Sequence, residues 1–160
     1  MASPLDLQRG GRPLTILFVE DNPDHAELVM RSLEDHQIAN TIHHVADGAA
    51  ALDYLHRRGD YEDPARSPKP HVILLDLRLP KVDGLQVLEE MKSTKELERI
   101  PVVVLSTSHA DADVGSAYEH HVNSYLVKPL DFERFSKMID DLGFYWLRWN
   151  QSPWQHELPA

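Results

Sequence analysis

Five polar residues, each placed at or one residue beyond the end of an apolar run, have side chains suited to binding a cation and a phosphoryl group. In chain order they are Glu20, Asp21, Asp76, Ser106 and Lys128. Clustered carboxylates repel one another unless a cation lies between them. All-oxygen ligands suit a hard ion such as Mg²⁺, with Mn²⁺ as an alternative. Lys128 suits a phosphoryl oxygen, Ser106 can donate a hydrogen bond to another, and Asp76 could act as a carboxylate nucleophile forming an acyl phosphate.

The apolar runs before these residues predict strands, and the segments between them predict helices. Val72–Leu75 is dense in branched residues, as in a parallel strand covered on both faces, and turn residues follow it. Asn22 and Pro23 predict the N-cap and first residue of a helix. We expect strands at Leu14–Val19, Thr41–Ala46, Val72–Leu75, Pro101–Leu105 and Val122–Val127. The expected helices run from Pro23 to about His36, over Ala49–Arg58, Gly84–Lys92 and Asp111–His121, and from about Asp131. No regular element is expected in Gly59–Pro70.

This alternation predicts the architecture of the chain. Five βα units imply an α/β fold of the flavodoxin-like (βα)5 type, a three-layer sandwich around a five-stranded parallel sheet in the order 2-1-3-4-5. In that order the first and third strands are neighbours, so Glu20, Asp21 and Asp76 would converge. Ser106 and Lys128 would lie beside them, because the carboxyl ends of parallel strands share one edge.

Composition narrows the class of protein. A chain of 160 residues with 42% apolar residues is expected to form one main domain. The net charge of −10 argues against nucleic acid as a partner, and there is no cysteine for a disulfide or thiolate zinc site. No apolar stretch reaches the length of a membrane span or signal peptide, so we expect a cytoplasmic protein. The expected divisions are a mobile tail at 1–13, the domain at 14–143 and an aromatic extension at 144–160.

Beyond these general patterns, the motif set resembles the receiver domain of two-component response regulators. The shared features are the acidic pair, Asp76 before the loop Leu79-Pro80-x-x-Asp83-Gly84, and Ser106 and Lys128-Pro129 at spacings of 30 and 22 residues. The resemblance covers roughly Leu14–Leu142. The Asp-Asn-Pro start of the first helix and the ending Gly-Phe-Tyr-Trp-Leu-x-x-Asn-Gln are similar to single-domain regulators paired with bacterial phytochrome histidine kinases.

The resemblance implies roles for the acidic residues. Asp76 would be the phosphoacceptor, and Asp21 and Asp76 would be direct metal ligands. Glu20 would help to hold the ion, partly through water, and the backbone carbonyl of Arg78 would be another ligand. The protein would be a phosphoacceptor signalling protein rather than an enzyme, taking part in its own phosphorylation and slow dephosphorylation.

The resemblance also implies roles at the fourth and fifth strands. Lys128 would bridge the phosphoryl group, with a cis peptide bond before Pro129. Ser106 and Tyr125 match the switch pair of the family, in which the hydroxyl moves onto the phosphoryl group and the ring swings inward. The output would be a protein contact or onward phosphotransfer to a histidine, since about twenty residues after the domain are too few for a DNA-binding module.

Two other functions are weighed against this one. A phosphatase of the haloacid-dehalogenase type also uses a strand-terminal aspartate with Mg²⁺, but that family needs a second aspartate two residues later, where this chain has Arg78. A pseudo-receiver would bind partners without phosphorylation, and the complete acidic set with Lys128 argues against it.

An aromatic stripe at the end of the chain predicts a homodimer. The apolar positions are spaced by 3, 4, 3, 4 and 3 residues, as on one face of a helix. Beyond the domain no sixth strand covers the rings, and exposed aromatic patches mark interfaces. The alternative is that the tail folds back over its own domain. The stripe is Phe132, Phe135, Ile139, Leu142, Trp146 and Trp149; Phe144, Tyr145 and Leu147 widen it, and the expected interface adds Tyr145–Trp154 and the neighbouring helix-four and strand-five surface.

Overall fold

The computed structural model describes residues 14–35, 40–107, 111–119, 121–129 and 131–144, and strands alternate with helices along these segments. The strands are β1 (Leu14–Val19), β2 (Asn40–Val45), β3 (Val72–Leu75), β4 (Val102–Ser106) and β5 (Ser124–Val127). The α-helices are α1 (Pro23–Asp35), α2 (Gly48–His56), α3 (Gly84–Lys92), α4 (Asp111–Glu119) and α5 (Phe132–Phe144). No helix within these segments has the length and apolar character needed to cross a membrane.

The sheet has the predicted strand order. Its order is β2-β1-β3-β4-β5, and every pairing is parallel. In the register, Val19 at the end of β1 lies beside Val45 of β2 and Leu75 of β3. The residues that follow β1 and β3 therefore emerge side by side at one edge. The flavodoxin-like prediction is confirmed.

Helices cover both faces of the sheet, as the apolar central strands require. One core cluster joins β1, β3 and β4 to α2, α3 and α4, and includes the fully buried Leu75, Val87 and Met91. A second cluster on the opposite face joins the strands to α1 and α5, and includes Phe18 and Ile139. This three-layer packing leaves the carboxyl ends of the strands as the open edge of the domain.

Several element ends differ from the prediction because local bonds decide them. Helix α2 ends at His56 and α4 at Glu119, since Arg57 and His121 adopt left-handed backbone angles, with φ of 53° and 60°. Strand β5 begins at Ser124 rather than Val122, because Asn123 bonds Val102 through its side-chain oxygen as well as its backbone N–H. The predicted irregular segment contains a short 3-10 helix, Gly59–Tyr61.

Gly48 lies where no side chain fits, which gives a test of the packing between α2 and the loop after β3. A Cβ at Gly48 would overlap the carbonyl oxygen of Val82. Gly48→Ala should lower the free energy of unfolding by about 1–3 kcal/mol in urea titrations, because backbone must move. The matched control is Gly115→Ala in α4, where a Cβ meets nothing within 4 Å and should stabilise the helix by about 0.5–1 kcal/mol. Equal effects of both substitutions would contradict this packing.

Candidate functional site

The acidic residues occupy the edge formed by the ends of β1 and β3. The backbone N–H of Glu20 donates to Val45 of β2 at 3.1 Å, and that of Asp76 donates to Val19 of β1 at 3.1 Å. The imidazole Nε2 of His44 lies 2.8 Å from the Glu20 carbonyl oxygen, to which it donates. Sheet-type bonds therefore fix the backbones that carry the two carboxylates.

Three carboxylates converge at this edge. Carboxylate oxygens of Glu20, Asp21 and Asp76 lie within 4.8 Å of one another, and this is the metal-competent group found among the described residues. Glu20 is 1% exposed and Asp76 8% exposed, whereas Asp21 is exposed to solvent. The arrangement offers a hard cation oxygen ligands on a site that is deep on one side and open on the other.

Lys128 places a buried ammonium among these acids. Its Nζ donates to Glu20 Oε1 and Oε2 at 2.9 and 2.8 Å and to Asp76 Oδ2 at 3.1 Å. The lysine follows β5, and its backbone N–H donates to the Ser106 carbonyl at 2.8 Å, so β4 holds the start of its side chain in place. A positive charge thus lies against the carboxylate that would carry a phosphoryl group.

Burial changes the ionisation of Glu20. The pKa of Glu20 is raised to about 7, mainly by desolvation on burial; hydrogen bonding and charge from Lys128 lower it, and the neighbouring Asp76 charge adds to the rise. Burial is the larger effect because the carboxyl has almost no contact with water. A cation bound beside Glu20 would favour its ionised form.

The second oxygen of Asp76 is held by the loop after β3. Asp76 Oδ1 accepts a hydrogen bond from the Arg78 backbone N–H at 3.0 Å, and Gly84 N–H donates to the Leu77 carbonyl at 3.0 Å. A Cβ at Gly84 would overlap the backbone oxygen of Asp76, so this position needs glycine. The loop therefore places the backbone of Arg78 beside the carboxylate, with its side chain exposed.

The two predicted switch residues lie on β4 and β5. Ser106 is fully buried at the carboxyl end of β4, whose partner β3 leads to Asp76. Tyr125 is half-buried, pairs with Val104 in the ladder, and packs against the core cluster beneath α2, α3 and α4. Their positions place a hydroxyl near the site edge and a ring at the sheet border, and their role as a switch stays a prediction.

One backbone prediction is wrong. No peptide bond is cis within the described segments, so the bond from Lys128 to Pro129 is trans. The trans isomer is the lower-energy state of X–Pro bonds by about 0.5–1 kcal/mol.

Sequence reasoning missed His25. Its Nδ1 lies 3.3 Å from Lys128 Nζ and 3.3 Å from Glu20 Oε1, and its ring packs at a tilt against Phe135 of α5. Burial, followed by the Lys128 charge, lowers the pKa of His25. The signal in the sequence was its place in the first helical turn after the acidic pair.

The structure does not describe the side chains of the residues predicted to form the dimer contact. Of the aromatic extension, only the backbone of Phe144 falls within α5, and Tyr145, Trp146, Leu147 and Trp149 follow the described segments. The tail at 1–13 also precedes them. These predictions stay as stated above.

The carboxylate cluster predicts a stabilising response to Mg²⁺. Binding to the folded state alone raises the free energy of unfolding by about 1.4 kcal/mol when Mg²⁺ is about ten times its Kd. Asp21→Asn removes the exposed carboxylate and should abolish most of this rise in thermal melts at fixed ionic strength. Asp60→Asn, an exposed acid in the 3-10 helix, is the control and should respond like the wild type. An undiminished rise in the Asp21 variant would mean that the cation binds elsewhere.

Comparisons with known proteins point to one family. The family model described as the response regulator receiver domain matches residues 16–140. The chain is 49% identical over 148 residues, 92% of its length, to a probable methanogenesis regulatory protein, FilR2, of Methanothrix harundinacea, of which the match covers 93%. It is 44% identical to the response regulator Rcp1 of Synechocystis, over 84% of this chain and 90% of the relative.

Solved structures agree with the sequence comparisons. The Mn²⁺-bound form of Rcp1 matches with a TM-score of 0.84 at 43% identity, covering 88% of this chain and 99% of the other. A phosphorylated cyanobacterial phytochrome response regulator, RcpA, matches with a TM-score of 0.83 at 37% identity, covering 89% and 99%.

Proposed function

The chain belongs to the response regulator receiver family, and we propose that it accepts a phosphoryl group on Asp76 from a partner histidine kinase. The observation that carries the proposal is the ammonium of Lys128 bonded to Asp76 inside a cluster of three carboxylates. A buried nucleophile with an adjacent fixed cation is the arrangement that phosphoryl transfer needs, because catalysis there is mostly positioning and charge neutralisation. The signal would leave the domain through protein contacts or onward phosphotransfer.

The transfer step uses groups that already lie in place. The Asp76 carboxylate attacks the phosphorus, the bond to the nitrogen of the kinase phosphohistidine breaks, and the electron pair returns to the imidazole. Lys128 neutralises charge on the phosphoryl oxygens, and the Arg78 N–H keeps Asp76 oriented. Mg²⁺ or Mn²⁺, held by Glu20, Asp21, Asp76 and the Arg78 carbonyl, would supply further positive charge to the same oxygens.

The proposed switch follows from the new charge on Asp76. A phosphoryl oxygen offers the Ser106 hydroxyl an acceptor that the free carboxylate does not place in the same position. Movement of Ser106 would vacate space into which the Tyr125 ring turns. The two movements together would alter the surface formed by α4, β5 and α5.

The kinase partner is proposed to be of the phytochrome type. The support is the similarity over nearly the whole length of RcpA, which is described as a phytochrome response regulator. That the similar protein Rcp1 has a Mn²⁺-bound form supports the proposal that the carboxylate cluster of this chain binds a divalent cation. We also propose the cytoplasmic location expected from the sequence, where a kinase that uses ATP would meet this chain.

The direct test is labelling by a small acyl phosphate. Acetyl phosphate with Mg²⁺ should add one phosphoryl group, detected by intact mass, and hydroxylamine should remove it because the product is an acyl phosphate. Omission of Mg²⁺ is the control. Rapid hydrolysis of p-nitrophenyl phosphate with multiple turnovers would instead support a phosphatase, and absence of Mg²⁺-dependent labelling would support a pseudo-receiver.

We also propose the homodimer predicted from the aromatic extension. Exposed apolar residues on the described part of the proposed interface support it. They are Tyr118 on α4, Val127 on β5 and Phe132 on α5, of which Phe132 is 69% exposed. Isolated apolar residues are ordinary on surfaces, but three on adjoining elements favour an interface. Residues 14–143 would form the receiver domain and residues 144–160 the contact.

Truncation tests the dimer. Removal of all residues after Gly143, or Trp146→Ala with Trp149→Ala, should give a monomer that still accepts phosphate, measured by multi-angle light scattering and acetyl phosphate labelling. The control is removal of the tail at 1–13, which should leave the dimer intact. Light scattering that finds the full-length protein monomeric, both before and after phosphorylation, would rule the dimer out.

A further inference from the structure

The ammonium of Lys128 has a third partner besides the two carboxylates. Its three N–H donors face Glu20, Asp76 and His25, the last through Nδ1 at 3.3 Å. A lysine ammonium has three donors, so these three side chains use its full capacity. Glu20 and Asp76 belong to the acidic cluster described above, whereas His25 comes from α1 and is outside the motif that identified the site.

The position of His25 is fixed from two sides. The Asn22 side-chain oxygen caps α1 by accepting hydrogen bonds from the backbone N–H groups of Asp24 and His25, at 2.9 and 3.2 Å. The His25 ring lies 5.3 Å from the ring of Phe135, which is buried in α5. With its backbone tied to the cap and its ring against Phe135, the imidazole holds Nδ1 toward the ammonium while 35% of the side chain stays exposed.

We propose that His25 is a positioning residue, which directs the Lys128 ammonium and couples its position to α5 through Phe135. The inference rests on the proposed phosphorylation of Asp76. A phosphoryl oxygen on Asp76 needs an N–H of Lys128, so the ammonium must shift from its present set of acceptors. His25 then follows the ammonium and keeps its bond to it, and this movement alters the contact between its ring and Phe135. This route reaches α5 directly and does not require Tyr125.

Two substitutions separate the two contacts of His25. His25→Asn keeps an acceptor near the position of Nδ1 but removes most of the ring. His25→Phe keeps a ring for Phe135 but removes the acceptor. The probe is beryllofluoride with Mg²⁺, a phosphoryl analogue, added to the full-length protein. Its affinity is measured by calorimetry, and amide exchange is followed in α5 and, as an internal comparison, in β5.

The two variants should fail in different ways. His25→Phe should bind beryllofluoride about 10-fold more weakly, because a bond to a charged group is lost. His25→Asn should restore affinity to within about 3-fold of wild type, and only the wild type should show the full change in α5 exchange. Both variants should keep the change in β5. A contact that only stabilises the fold would not be rescued by an acceptor.

The result that overturns the inference is specific. If wild type and both variants bind beryllofluoride equally and show the same α5 change, His25 is packing alone. If a variant melts early, Phe135→Leu gives the second measurement: it should keep beryllofluoride affinity and reduce the α5 change, and an undiminished change overturns the route. Failure of the wild type to bind the probe would instead count against the proposed function itself.

Discussion

Asp76→Asn is expected to abolish labelling by acetyl phosphate and by a cognate kinase, while the protein stays folded. The substitution replaces the attacking carboxylate by an amide, which is not a nucleophile at phosphorus. The amide oxygen can still accept the hydrogen bond from Lys128 or from the Arg78 N–H, so the local structure is retained. Intact mass after incubation with acetyl phosphate and Mg²⁺ measures the loss.

The same substitution has a second consequence, which checks the electrostatics of the site. It removes one of three clustered negative charges, so the free energy of unfolding should stay equal or rise by an amount on the order of 1 kcal/mol. The control is Asp53→Asn, on the outer side of α2, which changes a carboxylate outside the site and should leave labelling intact. Labelling that persists undiminished in the Asp76 variant would place the acceptor elsewhere.

Those predictions depend on an arrangement that the sequence largely anticipates. Each apolar run ends at a polar residue, and parallel strands bring their carboxyl ends to one edge, so the strand order alone places Glu20 and Asp76 together. The structure brings their oxygens within 4.8 Å, along with those of Asp21. The chemical roles of these residues are a separate matter, which labelling and metal binding decide.

The arrangement around Lys128 was less accessible to sequence reasoning. Apolar periodicity finds the buried face of α1 at Ala26, Val29 and Leu33, all of which are buried. His25 lies beside that face, and whether its ring points to the site or to solvent depends on how α1 rotates against the sheet. In the fold its ring lies 5.3 Å from that of Phe135, which is more than a hundred residues away in the chain. A pattern within one helix does not contain this information.

Side-chain hydrogen bonds within the segment also explain the missed 3-10 helix. The hydroxyl of Ser67 donates to the carbonyl oxygens of Tyr61 and Asp63, at 2.8 and 3.1 Å, and ties the end of the helix to the residues that follow. Three prolines in this segment indicate only that no long element forms there. The hydrogen bonds of the buried Ser67 stabilise the local turn, and the presence of a serine in the sequence does not reveal that it makes them.

Lys128→Met should have the largest effect on stability. Its side chain is 3% exposed, and it is bonded to two buried carboxylates. Removing one partner of a buried ion pair leaves an uncompensated charge, so the free energy of unfolding in urea should fall by about 3 kcal/mol at neutral pH. Lys137→Met is the control, because its pair with Asp141 on α5 is exposed and should contribute about 0.5 kcal/mol or less.

The loss of stability in Lys128→Met should grow as the pH rises and shrink when Mg²⁺ is added. Burial raises the pKa of Glu20 to about 7 even with Lys128 present. Without the ammonium the pKa of this carboxyl rises further, so Glu20 takes up a proton as the pH falls. A group with a raised pKa in the folded state contributes stability at low pH and loses it as the pH rises. The free energy of unfolding of the variant should therefore fall increasingly below that of wild type as the pH rises from 5 to 8, a range that contains the pKa of about 7.

Mg²⁺ supplies the charge that the variant lacks, which makes the stability test decisive for the site. Because three carboxylates then face the cation without a competing ammonium, Mg²⁺ should raise the melting temperature of Lys128→Met more than that of wild type. Glu20→Gln in the same background removes the orphaned charge and should recover part of the lost stability without the ion. A Lys128 variant as stable as wild type at pH 8, with no added response to Mg²⁺, would show that the ammonium does not balance these acids.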